Sequence, residues 1–143
     1  MRVSEAMTRQ VRIATPGQSI RDVAKTMAEI DAGVLPVGEN DRLVGMVTDR
    51  DIAIRAVALG KGPDTPVREV MSSEVKYCFE DEDLEHVAKN MGDLQVRRLP
   101  VVNREKRLVG IVALGDVARK EDYATTGQAT AGVSQPGGKP QAT

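Results

Sequence analysis

The chain has 143 residues, with 20 Lys and Arg against 21 Asp and Glu for a net charge of −1, and 41% of its residues are hydrophobic. That length holds one ordinary domain or two very small ones, and the balanced charge excludes the basic field of a nucleic-acid binder. No apolar run approaches the ~18–20 residues of a membrane span, no charged stretch followed by an apolar one opens the chain, and with Trp absent and Phe79 the single Phe there is no aromatic platform for single-stranded nucleic acid.

In chain order, the first element expected is a short strand near Val11. Ser19 then begins a helix: Ile20, Val23, Ala24, Met27 and Ile30 fall at helical spacing, and Ser19 with Asp22 has the form of a capping box. Val34 to Val37 and Leu43 to Val47 are short β-branched runs joined by Glu39-Asn40-Asp41, which reads as a hairpin. A second helix is expected from about Asp49 to Leu59 with Ile52, Ala56 and Leu59 inward, ending at Gly60 before Gly60-Lys61-Gly62-Pro63.

The same series then begins again. Val3, Glu5, Met7, Val11, Val23, Met27, Leu35 and Pro36 recur 64 residues later as Val67, Glu69, Met71, Val75, Val87, Met91, Leu99 and Pro100. After one extra loop residue, Leu43, Val44, Gly45, Val47 and Asp51 recur 65 residues later as Leu108, Val109, Gly110, Val112 and Asp116. The second copy therefore has a strand near Val75, a helix with Leu84, Val87, Ala88, Met91 and Leu94 inward, a hairpin from Leu99 to Val112, and a final helix from Asp116 that fades near Tyr123. Each copy is β-α-β-β-α, giving an α+β fold with repeats at 1–62 and 63–123. Residues 124–143 are Gly, Thr, Ala, Gln and Pro without periodicity and read as a disordered tail. A half of roughly 60 residues is marginal alone, so each copy is expected to supply part of the other's core.

Chemistry concentrates at Gly45-Met46-Val47-Thr48-Asp49-Arg50-Asp51, where a hydroxyl and a carboxylate meet at a strand end and a helix start. Free backbone N–H groups there attract phosphate, Thr48 adds a hydroxyl, and Asp51 can accept from two ribose hydroxyls. The same Thr48-x-x-Asp51 is also a capping box, so local sequence leaves both readings open. Copy two reads Gly110-Ile111-Val112-Ala113-Leu114-Gly115-Asp116, which keeps the carboxylate and loses the hydroxyl. Arg97-Arg98, where copy one has Gly33-Val34, is either a phosphate grip or a solvated pair answering Asp93 or Glu105. Glu80-Asp81-Glu82-Asp83 before a helix reads as helix-start chemistry with Asp83 as N-cap rather than as a metal site. His86 and Cys78 are too few for zinc or for a nucleophile pair.

Two β-α-β-β-α copies, each with a Leu-Pro-Val strand followed by Leu-Val-Gly-hydrophobic-Val, resemble a pair of cystathionine-β-synthase-type (CBS) domains, the Bateman module. Gly45 to Asp51 match that family's Gly-h-h-Thr/Ser-x-x-Asp nucleotide motif. The resemblance spans about Met1 to Asp122 and points to the small stand-alone members, of which a hypoxia-response type is one, since no room remains for an enzyme or transporter domain.

The resemblance implies two repeats packed about a pseudo-twofold axis and a regulatory module that senses an adenine nucleotide such as AMP, ADP or ATP, or a relative such as S-adenosylmethionine, and acts through a partner protein. It implies a site in which Thr48 and Asp51 share a cleft with Arg97 and Arg98, walled by Val75, Lys76, Tyr77 and Pro100. A second, weaker site is implied at Asp116, Val34 and Pro36. It further implies a homodimer with no enzymatic activity, no metal and no required cofactor. A ligand-free structural or protein-interaction module is the alternative. An intracellular, cytoplasmic location is the default expectation, and the single Cys78, which cannot form an internal disulfide, agrees with it.

Overall fold

The computed structural model of the chain describes residues 1–136. The helices and strands run α1 (Ile20–Ile30), β1 (Val34–Glu39), β2 (Arg42–Thr48), α2 (Asp49–Asp51), β3 (Cys78–Phe79), α3 (Leu84–Leu94), β4 (Arg98–Val102), β5 (Leu108–Ala113), α4 (Leu114–Lys120) and α5 (Tyr123–Val133). The fold is α+β, and the repeat is visible in it. The β1–β2 and β4–β5 hairpins are both antiparallel, and both slip register at equivalent points, Val37/Gly38 and Val101/Val102.

The helices follow their apolar stripes. Ser19 caps α1 by accepting the Asp22 N–H at 3.1 Å, and Ile20, Val23 and Met27 are buried. Ala24 and Ile30, expected inward, are exposed. In α3 the whole stripe from Leu84 to Met91 is buried, Gly92 with it. Asp83 stands at the N-cap position of α3 but makes no capping bond. Its carboxylate faces the chain's terminal ammonium at 3.6 Å instead.

Further expectations are corrected. The leading strand lies three residues later than expected and is much reduced: β3 pairs in parallel with β4 (Cys78 opposite Val101), and in copy one only a single bridge, Ala14 opposite Val37, remains. Pro16 two residues on has no N–H to extend the ladder.

The helix expected over 49–59 is continuous but irregular. After α2 come a π turn at Ile52–Ala56 and a 3-10 turn at Val57–Leu59, closed by Gly60 at φ 77°. A π turn inserts an extra residue and rotates everything after it, so Ala56 is buried while Leu59, expected inward, is exposed.

The expected tail is helical over Tyr123–Val133. Asp122 caps it by accepting the Thr125 N–H at 2.7 Å, and Ala129 and Val133 are buried. The part of that expectation covering 137–143 lies outside the described residues.

The described chain also forms two compact units. One joins Met1–Val11 to the chain from Lys76 onward, and the other is Arg12–Val75. In the second, Val67 and Val70 are buried in a core with Ile20, Val23, Leu35, Val37 and Val47. In the first, Val3 and Met7 join Leu84, Val87, Met91, Leu99 and Val112.

Glycine makes both joins possible. Met46 exchanges backbone hydrogen bonds with Ser72 at 2.9 and 2.8 Å, and Ile111 with Thr8 at 2.9 and 2.8 Å. A Cβ on Gly45 would lie 2.7 Å from Met71 Sδ and 2.9 Å from the Ser72 carbonyl oxygen, and one on Gly110 2.7 Å from both Met7 Sδ and the Thr8 carbonyl oxygen.

Candidate functional site

The β2–α2 turn brings Thr48 and Asp51 together. Thr48 has extended backbone (φ −118°, ψ 162°) and ends the strand, and Asp51 is the third residue of the helical turn that follows. The two form a reciprocal box in which Thr48 Oγ1 accepts the Asp51 N–H at 3.0 Å and Asp51 Oδ2 accepts the Thr48 N–H at 2.9 Å. Thr48 is fully buried and Asp51 is 3% exposed. Because Thr48 Oγ1 accepts in that bond, its own proton is left to donate.

The other carboxylate oxygen, Asp51 Oδ1, faces Arg55 Nε at 3.7 Å. Arg55 was not singled out from the sequence, although its i,i+4 position from an aspartate is a readable signal.

The remaining backbone donors of this turn are already used. Asp49 N–H bonds the Gly33 carbonyl at 2.9 Å, and Arg50 N–H bonds Asp49 Oδ1 at 2.8 Å. With the Thr48 and Asp51 N–H groups in the box, all four are satisfied, so the expectation of free N–H groups awaiting a phosphate is corrected. What the turn offers a ligand is a fixed carboxylate and a hydroxyl.

Copy two builds the same turn with fewer bonds. Asp116 Oδ2 accepts the Ala113 N–H at 2.8 Å, Leu114 N–H bonds the Arg97 carbonyl at 2.8 Å, and Asp116 Oδ1 pairs with Arg119. Ala113 has no hydroxyl to return the cap. Asp116 is nonetheless buried.

The other expected site residues take the following places. Val34 and Pro36 are buried on β1, opposite Thr48 and Met46, in the unit that holds Thr48, Asp51 and Val75. Arg98 is half-buried on β4 opposite Ala113, and buried Pro100 is opposite Ile111, in the unit that holds Arg97, Lys76, Tyr77 and Asp116. Arg97 is exposed. Among the described residues neither arginine forms an ion pair, and Glu105, one of their suggested answers, faces Arg107 at 3.9 Å instead.

Tyr77 meets Phe79 edge-on, with ring centroids 5.7 Å apart, and Arg104 lies 4.2 Å over the other aromatic partner's centroid, that of Phe79. Arg104 also grips Asp81 through two bonds of 2.9 and 2.7 Å, which holds the Asp81 carboxyl below the ordinary carboxylate range. Glu82 accepts the Phe79 N–H at 2.9 Å, so the acidic run is spent on separate local partners. No group of three or more His, Cys, Asp or Glu among the described residues is arranged to hold a metal ion. Burial and, secondarily, Glu82 push the Cys78 thiol up to about 12, which leaves it protonated and unreactive.

The CBS domain family model matches residues 3–57 and 67–122, one match on each repeat. The chain belongs to the CBS domain family. It is 46% identical over 116 residues to the CBS domain-containing protein YhcV of Bacillus subtilis, covering 81% of this chain and 82% of that one. Hypoxic response protein 1 of Mycobacterium tuberculosis is 40% identical over 104 residues, covering 71% and 72%. Two solved CBS proteins hold adenine compounds. The CBS domain pair of MJ0100, in complex with 5′-methylthioadenosine and S-adenosyl-L-methionine, has a TM-score of 0.74 and 31% identity over 83% of this chain and 94% of that one. CBSX2 in complex with AMP has a TM-score of 0.74 and 27% identity over 82% and 93%. Among the described residues, no helix of the chain is long and apolar enough to cross a membrane.

Proposed function

We propose that this CBS pair is a regulatory module without catalytic activity that binds an adenine nucleotide of the AMP, ADP or ATP type and acts through a partner protein in the cytoplasm, as a homodimer of pairs and with no required cofactor. One observation carries the reading. Asp51 is a buried carboxylate fixed by the Thr48 N–H and faced by Arg55, so it is oriented before any ligand arrives, and adenine-bearing ligands occupy similar CBS pairs. The ribose hydroxyls bond Asp51 and Thr48. The phosphate is held by Arg97 and Arg98, whose ten N–H donors have no ion partner among the described residues, and Val75, Lys76, Tyr77 and Pro100 wall the base. Asp116, with Val34 and Pro36, makes the weaker site.

The β4–β5 register favours a second assignment of the phosphate. Arg98 stands opposite Ala113, at the head of the turn that ends in Asp116, so the arginine pair lies in the same unit as that carboxylate. In that assignment Asp116 receives the ribose.

Calorimetry with AMP and adenosine on Arg98→Ala separates binding from no binding and phosphate grip from solvated pair. The reading expects AMP to lose at least tenfold in affinity while adenosine is unchanged. An equal effect on both ligands removes the phosphate role, and no heat with either ligand on the parent chain removes the nucleotide reading in favour of a ligand-free interaction module.

A further inference from the structure

The two groups assigned to the ribose are shut away from solvent. Thr48 is fully buried and Asp51 is 3% exposed, so a ligand's hydroxyls reach neither until a cover moves. Of the groups that hold the carboxylate, the Thr48 N–H on Oδ2 is backbone and belongs to the buried box, whereas Arg55, at Oδ1, has a side chain 46% exposed. Arg55 is the part free to swing away.

Its contacts are those of a latch rather than of a strut. One guanidinium spans three acceptors: Nε lies 3.7 Å from Asp51 Oδ1, and a terminal nitrogen lies 3.5 Å from the carbonyl oxygens of both Val70 and Met71. All three separations stand at or beyond the outer edge of hydrogen bonding, so charge and not bond geometry keeps the arginine in place.

Copy two reaches the same arrangement by another route. Arg119, with a side chain 69% exposed, pairs with Oδ1 of buried Asp116. The two arginines are not equivalent under the 65-residue offset, which matches Arg55 to Lys120 and Arg119 to Ile54. Arg119 follows its aspartate by three residues on the regular helix α4, and Arg55 follows by four through the π turn at Ile52–Ala56. A salt bridge inherited through the duplication would keep its position in both copies. Here two different positions deliver an arginine to the same carboxylate oxygen, which ties the arginine to the task of that oxygen and not to the ancestry of the helix.

We propose that Arg55 is a gate on the nucleotide site: before a ligand binds, its guanidinium neutralises Asp51 and covers Oδ1, and a ribose hydroxyl enters only by displacing it. The gate rests on the assignment of the ribose to Asp51. Arg55 then sets affinity for the nucleoside half of the ligand, while Arg97 and Arg98 act on the phosphate half.

Adenosine is the probe, because it is uncharged and its salt response reports the ion pair alone. Opening the gate breaks an ion pair, which salt favours, so the affinity of the parent chain for adenosine, measured by calorimetry, is expected to rise between about 0.05 and about 0.5 M NaCl. Arg55→Met keeps an aliphatic stem and loses the charge. At low salt it is expected to bind adenosine about two- to fivefold tighter than the parent and to lose the salt response. Stopped-flow should place the gain in the association rate with dissociation unchanged, since the displaced arginine takes no part in the bound state, and Arg55→Lys should bring the salt response back. If Arg55→Met does not fold, the salt response of the parent decides. Adenosine binding to the parent that ignores salt, an unchanged or lower affinity in Arg55→Met, or a gain confined to dissociation overturns the gate and leaves the nucleotide reading standing. No binding of adenosine or AMP by either protein removes that reading and the gate with it.

Discussion

Asp51→Ala and Asp116→Ala form a matched pair, because each carboxylate accepts a strand-end N–H, at 2.9 Å from Thr48 and 2.8 Å from Ala113. Removing either leaves one buried backbone donor without its acceptor, which costs ~1–3 kcal/mol. Arg55 and Arg119 lose partners too, but both are about half exposed or more, so those losses add little. Urea denaturation should therefore show comparable falls in midpoint with unchanged slope.

Binding should separate the two. Charge-assisted bonds to ribose in a buried turn make Asp51→Ala cost ~2–3 kcal/mol of nucleotide affinity, roughly 30- to 150-fold, and Asp116→Ala much less. The reference for both is affinity measured by calorimetry well below each variant's unfolding temperature. Equal binding losses contradict the assignment of the ribose to Asp51. A larger loss at Asp116 moves the ribose to the turn beside Arg98.

Three further outcomes follow from the geometry. Gly45→Ala places a Cβ 2.9 Å from the rigid Ser72 carbonyl as well as against the flexible Met71, and should destabilise by ~1–3 kcal/mol; a neutral thermal melt would show that this join is loose. Cys78 should resist thiol-specific reagents at pH 8 in the folded protein and react on denaturation, since burial keeps it protonated; rapid labelling of the native chain would contradict its placement. The backbone bond from Thr125 holds the Asp122 carboxyl below its ordinary value of 3.8, so its stabilisation of α5 is present above that value and is lost as pH falls through the lower folded one. Hydrogen exchange over 123–133, corrected for intrinsic rate, should accelerate in that acid window, and Asp122→Asn should flatten the pH response.

The features legible in the sequence were those that the duplication states twice. The 64- and 65-residue offsets located both hairpins and both amphipathic helices, and the reciprocal Thr48–Asp51 box was readable from spacing alone. The features missed depend on contacts that no local pattern encodes. Helix α5 carries no apolar stripe, and it is held by a glycine-to-glycine approach to α3 and by the Asp122 cap. The π turn that throws Leu59 outward is a backbone irregularity with no residue signature here. The four turn N–H groups looked available because their acceptors are distant or reciprocal: Gly33 lies 16 positions before Asp49. The exchange of leading segments was equally hidden, since Gly45 and Gly110 read as motif glycines and not as seats for Met71 and Met7.

The central claim is that this CBS pair binds an adenine nucleotide, with one strong site per chain. Isothermal titration of the parent chain with AMP tests it most directly. The account predicts a saturable heat with a stoichiometry of one per chain, reduced by Asp51→Ala. Two equal sites per chain, or no heat with AMP, ATP, adenosine or S-adenosylmethionine, would contradict it.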